Sequence, residues 1–268
     1  MQLPTLLAQP LSLPSIPKVV ALLLSALQRP EVDLKEVNQL IATDPALTTR
    51  LLQLANTAPL GLSGRIHSVS QALALLHLQQ VRSMAEEAAA AASLKAIPGI
   101  AMQHFWQYCL DVAKVSRSLA SVLRSNPQAA FTCGLIHAVG ELAMQRAMPE
   151  TMARMNQATK PLDLRRAYVE QSELGYCYST VGAGLARQWQ FPEPMVDALE
   201  HLQDPFGNGV YEPLAGIIHL AVWRARGKEA KLNSNALADT FPGSVGLALG
   251  LDIDMVLQQD PFEWSTHR

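Results

Sequence analysis

The stretch Asp44-Pro-Ala-Leu-Thr-Thr-Arg-Leu-Leu-Gln-Leu-Ala-Asn56 reads as a helix with a marked start. Asp44 offers an N-cap oxygen, Pro45 fits a first turn in which its missing N–H is not needed, and Leu47, Leu51 and Leu54 recur at helical spacing. Upstream, Asp33 with Glu36 forms a variant of the capping box ahead of Leu34, Val37, Leu40 and Ile41. Pro17 opens a helix with Val19, Val20, Leu23, Leu24 and Leu27 on one face, and Pro30 ends it. Downstream, Pro59, Gly61, Ser63 and Gly64 mark residues 57–67 as a loop. Ser68 with Gln71 restarts helix, which continues to Ile97 with a bend near His77.

Beyond Ile97-Pro98-Gly99 a long stripe (Met102, Phe105, Cys109, Val112, Ser116, Leu119) predicts one helix, and Asn126-Pro127 caps another that carries Leu135, Ile136, Val139, Leu142 and Ala143 up to Pro149. Further helices are predicted over about 150–158, 162–174, 177–189, 193–203 and 212–227, with a short pair within 244–259 and fraying from Trp264 onward. No stretch sustains the alternation of a half-buried strand. The expected fold is all-α, a multi-helical bundle in two packed subdomains. Its divisions are a 1–12 extension, an N-terminal helical subdomain at 13–96, a second at 97–227 and a C-terminal extension at 228–268.

Of 268 residues, 49% are hydrophobic and 16% charged, which excludes a disordered chain; 21 basic against 23 acidic residues give a net charge of −2. Without a basic surplus, nucleic acid is not an expected partner; the densest cluster, Arg165-Arg166 with Arg154 and Lys160, is sparse and interrupted by acids. Three cysteines, Cys109, Cys133 and Cys177, lack CxxC spacing and read as reduced core thiols, so a cytoplasmic location is expected. Prolines at 4, 10, 14 and 17 break up the N-terminal apolar residues, and no uncharged run reaches the length of a membrane span.

Seven histidines raise the question of a metal, and His137 with Glu141 is a His and carboxylate pair one turn apart, which by itself does not make a metal site. Gly182 and Gly184 follow no strand and precede no Lys-Ser/Thr, so close helix packing accounts for them better than phosphate binding. No G-x-S-x-G occurs.

Several runs together resemble the HDOD domain of bacterial signalling proteins. They are Leu13-Pro-Ser-Ile-Pro-Lys-Val-Val20, Ile41-Ala-Thr-Asp-Pro-Ala-Leu47, Arg50-Leu-Leu-Gln-Leu-Ala-Asn56 and Pro59-Leu-Gly61. Ser68-Val-Ser-Gln-Ala-Leu-Ala-Leu-Leu76, Phe105-Trp106, Gly134-Leu-Ile-His137 and Gln188-Trp-Gln-Phe-Pro192 extend the match over most of residues 13–225. The resemblance implies an all-helical relative of the HD superfamily of metal-dependent phosphohydrolases, used as a regulatory module. It also implies where metal ligands would stand, and most are missing. Tyr108 and Tyr178 occupy histidine positions, the His-Asp doublet is His137-Ala138, a His-His pair is His201-Leu202, and the last Asp is Val222. Of these seven positions only His137 and His201 keep a ligand type, and Glu141 stands where relatives place a phosphate-binding Lys.

The expected function is therefore a non-catalytic signal-transduction module that binds an unknown signalling protein or small signal molecule. It is expected to have no cofactor and a remnant pocket formed by Tyr108, His137, Ala138, Glu141, Tyr178, His201 and Val222. Two alternatives stand beside it: a phosphohydrolase or phosphodiesterase whose metal is held by His104, His137, Glu141 and His201, and a pseudoenzyme that binds nucleotide without turnover.

Overall fold

A computed structural model describes residues 1–10, 13–57, 64–92, 97, 99–207, 209 and 211–258. Among these residues there are helices, turns and bends but no strand, so the fold is all-α. The expected loop centre at 58–63, Pro98 of the expected boundary and the expected fraying from Trp264 lie outside the described residues. None of the helices described is long and apolar enough to cross a membrane.

The N-terminal half is set by side chains that satisfy helix starts. Helices α2 (Pro17–Leu27), α3 (Leu34–Ile41) and α4 (Pro45–Thr57) follow one another, and α5 (Val69–Leu75) and α6 (Leu78–Ala92) are separated at Leu76-His77, where Leu76 is extended. Asp44, fully buried, accepts hydrogen bonds from Ala46 N (2.8 Å) and Leu47 N (2.9 Å) and also from Ile16 N (2.5 Å). One carboxylate thus starts α4 and fixes the entry to α2. Burial pushes this carboxyl up to about 6, against the pull of those three N–H donors and of Arg50. Asp33 accepts from Lys35 N as expected of an N-cap, but Glu36 turns away from the cap to pair with Arg29. Asn56 bonds both N and O of Ile66, tying the segment before α5 to the end of α4.

The second half is built on the hairpin of α7 (Met102–Val122) and α8 (Pro127–Ile136), with α14 (Pro213–Glu229) lying against both. Helix α9 (Val139–Ala147) packs on α12 (Tyr178–Gln188), α12 on α13 (Glu193–Glu200), and α13 on α14; α10 (Pro149–Ala158) and α11 (Arg166–Leu174) complete this part. Contacts of α4 with α8 join the halves into one continuous core. Close approach is achieved with glycine: a Cβ on Gly140 would lie 2.0 Å from Tyr178 O and one on Gly134 2.9 Å from Ala113 Cα.

The structure corrects several expected elements. The single helix expected from Asn126 to Pro149 is broken at His137-Ala138 into α8 and α9. Helix α11 starts at Arg166 rather than near residue 162, because Asp163 Oδ1 accepts from Arg165 N and closes a turn there. Helix α13 stops at Glu200, short of residue 203. Within the 1–12 extension Pro4 occupies the first turn of a short helix, α1 (Leu3–Leu7), with Leu6 buried and Leu7 seated on Gly184. Ahead of the expected C-terminal pair, α16 (Gly243–Leu249) and α17 (Ile253–Gln258), lies α15 (Ser234–Thr240), started by the Asn233 side chain on Ala236 N.

Candidate functional site

The break after α8 turns the His137 ring into the centre of the second half, where it is fully buried. Its Nδ1 lies 2.7 Å from Gly134 O, and a carbonyl only accepts, so Nδ1 carries the proton and Nε2 is an acceptor. Tyr108 Oη, from α7, therefore donates to Nε2 at 3.1 Å. That oxygen in turn accepts from Arg226 Nε (3.1 Å), on α14 one turn after Val222. The guanidinium continues through Nη2 to Tyr178 Oη (3.1 Å), which also accepts from Gln203 Nε2 (3.1 Å), and through Nη1 to Asp163 O (2.7 Å). Its carbon sits 5.4 Å from the centre of the Tyr178 ring, and both tyrosine rings meet His137 edge-on.

Electrostatics follow from this packing. Burial, reinforced by the charge of Arg226, holds His137 down to about 3, although the Gly134 bond resists it. Burial pushes the Tyr108 and Tyr178 hydroxyls up, so both are neutral phenols. Since His137 titrates from its ordinary 6.5 in the unfolded chain and about 3 in the folded one, the unfolded chain binds the extra proton between those values. The His137 contribution to stability is then complete above about pH 6.5 and falls as pH drops towards 3, by up to about 1.4 kcal/mol per pH unit, while Asp44, raised to about 6, contributes in the opposite direction below that pH. Urea unfolding at pH 7, 6 and 5 should give the unaltered chain and His137→Gln stability-against-pH slopes that differ by one proton, the unaltered chain losing more towards pH 5; equal slopes would assign the titration to another group.

A second buried network borders the first. Arg166, fully buried, donates through Nη2 to Glu141 (2.8 Å), through Nε to Glu170 (2.7 Å) and through Nη1 to Thr159 O (2.6 Å). Glu170 also accepts from Tyr178 N at 2.7 Å, and Gln145 bonds Glu141 at 2.9 Å. Burial first, and then the adjoining Glu141 carboxylate, push the Glu170 carboxyl far up.

Of the expected pocket residues, the structure brings together Tyr108, His137 and Tyr178, with Ala138 and Val222 buried nearby in sequence. It does not bring Glu141 to the same cluster as a metal donor, since Arg166 and Gln145 take its oxygens. Nor does its charge stand unopposed towards a phosphate. His201 caps the end of α13, partly exposed, and acts on Glu212. His104 pairs with Glu229 on the surface of α7 and α14. The alternative set of His104, His137, Glu141 and His201 is therefore not assembled, and among the described residues no three His, Cys, Asp or Glu side chains are grouped to hold a metal ion.

The donor chemistry at the centre does not fit a divalent cation either. His137 has both nitrogens engaged, Ala138 and Val222 supply no lone pairs, and a guanidinium is bonded into the same cluster. The sequence reading missed Arg226 and Gln203, and counted Arg166 only as part of a sparse basic cluster. The available signal was a charged residue on an otherwise apolar face: Arg226 follows Val222 by four, and Arg166 precedes Glu170 by four.

A family model described as HDOD domain matches residues 13–205. The crystal structure of the MmoQ response regulator from Methylococcus capsulatus is 26% identical, with a TM-score of 0.74 over 93% of this chain and 98% of that one. A virulence factor from Campylobacter jejuni is 17% identical with a TM-score of 0.71, covering 98% and 96%, and shares the fold. An uncharacterized protein of Treponema pallidum (strain Nichols) is 27% identical over 218 residues, 78% of this chain; the matched part spans 41% of that relative's length. With a family match over most of its length, an all-helical architecture and a structural relative of that closeness, the chain belongs to the HDOD domain family, a signalling-related branch of the HD superfamily.

Proposed function

We propose that this chain is a non-catalytic signal-transduction module, acting by binding a protein or a small ligand rather than by turning one over. The observation that carries the reading is Arg226: its guanidinium bonds Tyr108 and Tyr178 beside His137. A fixed monovalent cation there provides charge and hydrogen-bond donors, but no open coordination position on which water could be activated. The likeness to the MmoQ response regulator supports a regulatory role. In such a module the output is a change of contacts, not a product.

The test is metal content together with turnover. Protein purified without chelator should carry manganese, iron or zinc far below one ion per chain. It should hydrolyse bis(p-nitrophenyl) phosphate with added manganese no faster than a His137→Ala variant does. A stoichiometric ion, with turnover that His137→Ala abolishes, overturns the reading.

A further inference from the structure

Two buried arginines stand side by side in this fold and are treated differently. Arg166 has two carboxylates within hydrogen-bonding distance. Arg226 is 4% exposed, and its hydrogen-bonded partners are two phenols and backbone carbonyls, all neutral. Among the described residues no carboxylate is in ion-pair contact with it; Glu170, the carboxyl that acts on it from farther off, is already bonded to Arg166 and Tyr178 N. A buried charge without a counter-ion is costly, and the cost falls when an anion is supplied.

Arg226 also contributes to the wall of an opening in the fold. It lines a cleft of about 530 Å³ between the start of α7, the 160–165 turn and the end of α14, walled by Leu162, Leu164 and Ala230. A second hollow of about 290 Å³, with Ile100, Phe105 and Pro161, shares His104, Lys160 and Leu162 with the first. The acids that reach the cleft are engaged: Asp163 with Arg165, and Glu229 with His104. Lys160, on the shared rim, has no ion pair among the described residues.

We infer that this cleft binds a small organic anion with an apolar body, its carboxylate or phosphate head set between Arg226 and Lys160 and its body against Leu162, Phe105 and Pro161. The two hollows together set the apolar surface of Leu162, Phe105 and Pro161 beside the cations Arg226 and Lys160, the combination a site for an amphipathic anion needs. The 160–165 turn would report occupancy, because Arg226 Nη1 holds it through Asp163 O and Arg166 Nη1 holds its leading end through Thr159 O. An anion taken up by Arg226 competes with the first of these two ties, which gives the module a way to convert binding into movement of that turn.

This deepens the ligand-binding form of the proposed function and rests on it. The probes are octanoate and phenyl phosphate, which distinguish the two head groups, with octylamine and acetate as controls, titrated into the full chain by calorimetry. One or both probes should bind at one site with an affinity tighter than about 1 mM. Lys160→Glu, a change at an exposed position that leaves the core intact, should weaken that binding at least about tenfold. Amide exchange over 160–165 should change on binding. Absence of binding by both probes, equal binding by octylamine, or indifference to Lys160→Glu overturns the inference. Metal content and turnover are read on the same protein. A metal-bearing, active chain defeats the proposed function; a metal-free, inert chain that ignores both probes defeats only the cleft.

Discussion

Replacing Arg166 with Met should destabilise the fold by about 3–5 kcal/mol at pH 7, the range for removing one partner from a buried ion pair. Methionine keeps most of the stem volume, so packing is not what is lost. Glu141 would be left as a buried carboxylate beside the protonated Glu170 carboxyl with no cation, and Thr159 O and the turn after it would lose their donor. Two signs identify the cause as charge. The deficit should shrink when the variant is measured at pH 5, because the orphaned carboxylate can take up a proton there. Glu170→Gln in the otherwise unchanged chain should cost less than about 1 kcal/mol, since an amide resembles the protonated carboxyl that burial and Glu141 favour at this position. Urea unfolding of the three chains checks this; a Glu170→Gln cost as large as that of Arg166→Met would show that the residue is held ionised.

Gly140→Ala should be similarly damaging, at about 2–4 kcal/mol, for a different reason. The added Cβ would sit 2.0 Å from Tyr178 O and 2.8 Å from Gly182 N, so it meets backbone rather than a side chain that can swing away. Helices α9 and α12 would have to separate, carrying Tyr178 Oη away from Arg226 and Tyr178 N away from Glu170. Thermal melting should show the loss. Gly175→Ala is a poor control because Gly175 has a left-handed backbone, whereas Gly243→Ala meets nothing within 4 Å and should be nearly neutral. Equal losses at positions 140 and 243 would refute the steric explanation.

Much of the architecture was legible because its signals are local. Asp44, Asn126 and Ser68 each cap the helix that their side-chain chemistry suggested, within three residues of chain. The break at His137-Ala138 was not legible, since Leu135, Ile136, Val139 and Leu142 keep helical spacing across it, no Pro marks it, and the nearby Gly134 and Gly140 are used for close helix packing. Helix α1 escaped because Pro4 is a breaker inside a helix and harmless in its first turn, and the sequence does not say which applies. The central cluster was half legible. Family likeness pointed to Tyr108, His137 and Tyr178, but the residue that joins them lies 118 positions from one tyrosine and 48 from the other. Only the packing of α14 on α7 and α13, with α12 packed on α13 in turn, brings it there, and no local pattern encodes that arrangement.

Arg226 also constrains how this molecule could be altered. Tyr108, Tyr178 and the carbonyl of Asp163 all take a proton donor from one side chain, drawn from three separate parts of the chain. An acidic residue placed at position 222, one turn before Arg226 on α14, would offer that side chain a salt-bridge partner. A metal ligand introduced there is therefore coupled to the arginine, and building a metal site on this scaffold means evicting the arginine and resupplying its three dependants.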